Sequence, residues 1–228
     1  MPKLRGLFAV AIGLTAGTGL TACSDDPPAP LPADAELVQI ASGGAELDAA
    51  VFNVGNPAAI VISHGATGRR DDFYAIADGF GAQGWFAVAY DGRSKHRADD
   101  LRATVAWVRE QGAESVVLLG GSYGACISVT NAVAVDARAV IGLSTAPECG
   151  DDAVAAANDL DDIAAQFVVA KGDDGFVPTA EALADATGTE VMLADGDGHG
   201  SGITNDNPDV IADLVAFAEA VARPETAD

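Results

Sequence analysis

From residue 35 the chain alternates between two hydrophobic rhythms. "AELVQIAS" (35–42) and "AELDAAVFN" (45–53) alternate apolar and polar positions with period two, which predicts strands with one solvated face. Six later runs are short and continuously apolar: "AAIVISHG" (58–65), "WFAVAYD" (85–91), "SVVLLGG" (115–121), "RAVIGLS" (138–144), "AQFVVAKG" (165–172) and "EVMLADG" (190–196). Runs of this kind predict strands covered on both faces. Between them the spacing turns helical. Leu101, Val105 and Val108 share one face, as do Val210, Leu214, Phe217 and Val221, and Asn207-Pro208 is a helix-start signal before the second set.

Two strands followed by repeated strand–helix units predict an α/β fold, with a mostly parallel sheet of about eight strands flanked by helices and an antiparallel hairpin at one edge. In such sheets the ligand site lies beyond the carboxyl ends of the strands. The 228 residues, 49% of them hydrophobic, suffice for one domain with a sizeable core.

The first residues belong to a different pattern. Lys3 and Arg5 form a basic start, Gly6 to Leu20 is apolar and small, and Leu20-Thr21-Ala22-Cys23 closes the segment. The four closing residues resemble the lipobox of bacterial lipoproteins. That resemblance implies a signal peptide over 1–22, cleavage before Cys23, lipidation of the Cys23 thiol and a lipid anchor holding an exported protein to a membrane of the cell envelope. Residues 23–33, with four prolines, then read as an extended tether, 34–224 as the folded domain and 225–228 as a tail.

Cleavage would remove two basic residues and no acid, leaving 10 Lys+Arg against 34 Asp+Glu, a formal charge of −24. Such a charge argues against nucleic acid as a partner and favours solubility. Cys126 and Cys149 would meet an oxidising compartment, which allows a disulfide; two buried thiols are the alternative. The cysteines show no zinc-ligand spacing.

Candidate chemistry concentrates in four loops that follow strands. Gly120-Gly121-Ser122-Tyr123-Gly124 is G-x-S-x-G at a strand-to-helix junction, a turn that lifts the serine clear of the backbone as a nucleophile. The amide of Tyr123 begins the helix and is a candidate oxyanion donor. The base must be a histidine. His199 sits in "DGDGHGSG" after the last strand, His96 in a polar loop, and His64 at a strand end in "SHGATG". For the carboxylate that orients the base, "AKGDDGFVP" (170–178) supplies Asp173 and Asp174; Asp195 and Asp197 are too near His199 in sequence to reach its ring well.

The order Ser122, Asp, His199 and the segments "HGATG", "GGSYG", "GDDGFVP" and "GDGHG" resemble the α/β-hydrolase superfamily, over residues 64–200. The resemblance implies a catalytic triad of Ser122, Asp174 and His199, with Asp173 the alternative acid, an oxyanion hole from the amides of Ala66 and Tyr123, and a structural His64. It needs no cofactor or metal. A calcium loop over 195–206 fits poorly, because its fifth position is His199 and its twelfth lacks a bidentate Glu.

The roughly 20 residues between Ser144 and Ala165 are too few for a helical cap, so the chain is closest in pattern to small lidless esterases and dienelactone-hydrolase-like members. A serine in place of the cysteine of dienelactone hydrolases points to ester hydrolysis of a small-molecule substrate. A peptidase or thioesterase would use the same triad, and a non-catalytic surface lipoprotein that binds through the same fold is the rival from another class. Arg69, Arg70, Arg93, Lys95 and Arg97 lie on two loops at the active end and suggest a basic rim for anionic substrates, unless Asp71, Asp72, Asp99 and Asp100 neutralise them.

Overall fold

The computed structural model describes residues 27–222. The segment 1–22, Cys23 and the tail 225–228 lie outside them. Residues 27–33 form neither helix nor strand, and the Ala29 N–H donates to Asp71 at 2.9 Å.

All eight expected strands form. They are β1 (Glu36–Ser42), β2 (Ala45–Phe52), β3 (Ala58–Ser63), β4 (Phe86–Tyr90), β5 (Ser115–Gly121), β6 (Ala139–Leu143), β7 (Ala164–Ala170) and β8 (Val191–Ala194). They make one sheet in the order β1-β2-β4-β3-β5-β6-β7-β8. The hairpin β1/β2 and the pair β2/β4 are antiparallel, and every pair from β4 to β8 is parallel. The chain runs outward from β3 to β4, then crosses back over β3 to start β5. The carboxyl ends of β3 and β5 therefore flank the reversal point of the sheet, where a crevice opens.

Among the described residues seven helices cover the sheet: α1 (Tyr74–Ala82), α2 (Arg97–Glu110), α3 (Tyr123–Asn131), α4 (Ala153–Ala157), α5 (Val177–Thr187), α6 (Gly202–Asp206) and α7 (Asp209–Ala222). A short 3-10 turn, Arg70–Phe73, precedes α1. Helical spacing is weak over α1. Gly79 and Gly81 interrupt its propensity, and burial of Ile76, Ala77 and Phe80 against the sheet overrides it.

Two apolar layers explain why the central strands are continuously hydrophobic. Along β3, Val61 packs into the layer under α2–α5, with Leu101, Val105, Val108 and Ile127, while Ile60 and Ile62 join the layer under α1, α6 and α7, with Ile76, Phe80, Ile203 and Leu214. Successive side chains of a strand point to opposite faces, so a strand covered on both sides has no polar position to spare. Between β6 and β7 only the five-residue α4 forms, which leaves the end of the sheet above the crevice without a cap. Among the described residues no helix is long and apolar enough to cross a membrane.

Cys126 on α3 and Cys149 form a disulfide across a sequence separation of 23 residues, with the Cα atoms 5.9 Å apart. It ties the helix that follows Ser122 to the loop after β6. A closed loop of this length restricts the unfolded chain by about 3 kcal/mol. Replacing both cysteines by serine is expected to lower unfolding free energy by about that amount in a denaturant titration.

Candidate active site

The site is built on the turn between β5 and α3. Ser122 has φ 53° and ψ −118°, a conformation that L-residues rarely adopt. A side chain held there costs about 1–3 kcal/mol and persists only where neighbours over-determine it. The neighbours here are backbone hydrogen bonds. Ser122 N–H donates to Leu143 O at 2.8 Å, and Ser122 O accepts from Ala125, Cys126 and Ala146 N–H at 3.1, 3.2 and 3.1 Å.

Two glycines make the turn sterically possible. A Cβ on Gly120 would lie 2.4 Å from the Ala125 nitrogen, and one on Gly124 would lie 2.2 Å from Ser63 O and 2.5 Å from His64 O. No side chain fits between α3 and the end of β3, so the helix starts in contact with the loop after β3. Tyr123 is the first residue of α3, and its N–H is one of those a helix leaves without a carbonyl.

Ser122 and His199 line one cleft of about 220 Å³, together with Gly65–Gly68, Asp72 and Phe73. Ala66 lines the same cleft as the serine. His199 Nδ1 lies 2.8 Å from Asp173 Oδ2. A carboxylate only accepts, so Nδ1–H is the donor of this hydrogen bond. Phe176 packs on the imidazole with ring centroids 4.3 Å apart. The loop after the histidine is held by Ser144, whose buried hydroxyl accepts from Gly200 N–H at 3.1 Å.

The carboxylate that meets His199 is therefore Asp173, the alternative acid, and not Asp174, which the resemblance implies. The reason is local backbone geometry. Asp173 N–H closes a turn onto Ala170 O at 3.0 Å, and Asp173 O accepts from Phe176 N–H at 2.8 Å. Asp173 is the corner shared by two turns above the end of β7, and its side chain is only 12% exposed. Asp174 sits in the middle of the second turn and is exposed to solvent. A residue count cannot tell the corner of a double turn from its bulge.

His64 is buried and belongs to the scaffold of the cleft. Gly92 N–H donates to His64 Nε2 at 3.1 Å, which leaves the proton on Nδ1, 2.8 Å from Gly65 O. Burial and the nearby Arg97 charge push its pKa below the ordinary histidine value, so the ring is neutral. His96 is exposed, 4.0 Å from Asp99. In the calcium-like loop, Asp195 pairs with Lys171 at 2.5 Å.

The basic rim does not survive folding. Arg69 pairs with Asp71 at 3.0 Å, Arg70 with Asp91, and Arg93 with Asp100 at 2.5 Å. Burial alone would raise the Asp100 carboxyl, but hydrogen bonds from Arg93 and Ser42 outweigh it and hold the pKa low. Arg97 is buried and donates to backbone carbonyls. Three of the five are thus ion-paired, Arg97 is spent on carbonyls, and Lys95 has no ion pair among the described residues. Paired charges of this kind give little net field to attract an anion.

No protein-family model matches the sequence, and no curated protein does. Solved structures match in fold. An esterase of Pyrococcus furiosus superposes with a TM-score of 0.68 at 15% identity, over 83% of this chain and 91% of that one. A dienelactone hydrolase from Anabaena variabilis gives 0.67 at 15% identity, over 83% and 98%. A serine hydrolase without a lid from Xanthomonas campestris gives 0.55 at 20% identity, over 84% and 95%. The chain has the α/β-hydrolase fold, an eight-stranded mostly parallel sheet flanked by helices with no separate cap domain. At these identities the likeness is one of fold.

Gly124→Ala is expected to destabilise the domain by roughly 2 kcal/mol or more, because the added methyl meets backbone oxygens that cannot move independently. Thermal unfolding of the variant, with Gly175→Ala as a control at a position with open space around it, measures this.

Proposed function

We propose that the chain is a serine hydrolase that cleaves carboxylic esters of small molecules through an acyl-enzyme. One observation carries this reading: Ser122, on a strained strand–helix turn, shares a cleft with a histidine whose Nδ1 is engaged by a carboxylate. The esterases and hydrolases among the structures of like fold support it.

The chemistry follows from the geometry. His199 Nε2 takes the Ser122 hydroxyl proton as Oγ bonds to the ester carbon. Asp173 keeps the imidazole in the Nδ1–H tautomer and stabilises its protonated form. The amides of Ala66 and Tyr123 take up the negative oxygen, each worth on the order of 3 kcal/mol. Collapse of the intermediate expels the alcohol with the proton from His199. Water, deprotonated by the same histidine, then releases the acid and restores Ser122. Peptidase or thioesterase activity uses the same steps. The lipobox-like start places the enzyme at the cell envelope, anchored through lipidated Cys23, and this too is a proposal.

A fluorophosphonate probe is expected to label the wild-type protein and to leave Ser122→Ala unlabelled. An unlabelled, folded wild type would favour a lipoprotein that only binds. Asp173→Asn is expected to lower kcat by about 10⁴-fold, since it abolishes the tautomer preference. Asp174→Asn is expected to stay within about 2-fold, as exposed substitutions do. Equal losses in the two variants would refute the assignment of the acid.

The cleft of about 220 Å³ is smaller than the roughly 300–1,000 Å³ of sites for drug-sized ligands. Short acyl chains are expected to be preferred. With p-nitrophenyl esters, kcat/KM for acetate should exceed that for octanoate by about 10-fold or more, several unplaced methylenes being involved.

A further inference from the structure

Arg97 is the first residue of α2 and is 8% exposed. Among the described residues it forms no ion pair with a carboxylate; Asp100, an acid whose charge acts on it, is occupied by Arg93 and Ser42. Its guanidinium is spent on two other things. One nitrogen donates to His64 O at 3.0 Å and the other to Ala66 O at 2.9 Å. Its face lies over the Tyr123 ring, 5.6 Å from the centroid.

These contacts bracket one peptide plane. The N–H of Ala66 belongs to the Gly65–Ala66 peptide. Arg97 holds the carbonyls of the peptides immediately before and after it. The carbonyl of the bracketed peptide, Gly65 O, accepts from His64 Nδ1–H at 2.8 Å and from Gly68 N–H at 3.2 Å. An amide N–H points opposite to its own carbonyl, so fixing all three carbonyls fixes the direction of the Ala66 N–H. The same guanidinium touches the side chain of Tyr123, whose backbone supplies the other donor.

We propose that Arg97 is a positioning residue for both halves of the oxyanion hole, holding the Ala66 peptide and the Tyr123 turn in register with its fixed positive charge behind the developing oxyanion. This rests on the hydrolase reading above. A planar fork that bonds two carbonyls and stacks on a ring at once is chemistry that lysine cannot reproduce. A buried charge that is already oriented stabilises an anion without reorganisation.

The test uses the wild type, Arg97→Lys and Arg97→Gln. It measures kcat and KM for p-nitrophenyl acetate, and Ki for phenylboronic acid, which forms a tetrahedral anion on a nucleophilic serine. In Arg97→Gln, kcat should fall by about 10- to 100-fold, the scale of a misplaced oxyanion donor, with KM within about 3-fold. The boronate Ki should rise by the same factor as kcat/KM falls, and Arg97→Lys should recover part of both. A folded Arg97→Gln with wild-type kcat overturns the proposal. So does a loss of kcat with unchanged boronate affinity, or unfolding of both variants, which would make Arg97 a scaffold residue only. A wild type unreactive to fluorophosphonate removes the hydrolase reading itself, a result distinguishable from any of these.

Discussion

The close approach of α3 to the end of β3 is the constraint on which the site depends. Only a glycine at 124 lets the helix begin against the carbonyls of Ser63 and His64. Ser122 sits at positive φ beside that contact and lines one cleft with Ala66. The strain at Ser122 is offset by backbone hydrogen bonds with Leu143 of β6, with Ala146 beyond it and with the first turn of α3. Ser122 is thus positioned by main-chain atoms rather than by contacts of its side chain.

The remaining parts of the site hang on the parallel strands that fan out from this point. Asp173 follows β7 and His199 follows β8, and the parallel register delivers both loops to the same end of the sheet as Ser122. Three buried side chains next to the site are paired in turn. Ser144 holds Gly200, His64 holds Gly65, and Arg97 holds the carbonyls on either side. A buried polar group left unpaired would cost about 1–3 kcal/mol.

Charge offers a lesson about reading clusters along a chain. Four of the five basic residues near the cleft are consumed by carboxylates or by backbone carbonyls. Side chains such as Arg70 and Asp91 are 21 residues apart and meet only because their strands end side by side. The apparent positive rim becomes an internal framework.

The sequence by itself determined the strands, the parallel α/β architecture, the G-x-S-x-G turn and the histidine after the last strand. Each of these leaves a local signature: apolar runs, helical spacing, or small residues where bulk is forbidden. Tertiary structure decided what depends on the direction of a group in space. It chose Asp173 over Asp174, because one lies at the corner of a double turn and the other on its outside. It joined Cys126 to Cys149 and took Arg97 from the surface to the back of the cleft. Neighbouring residues of one loop share composition and hydropathy, and only the folded backbone gives them different neighbours.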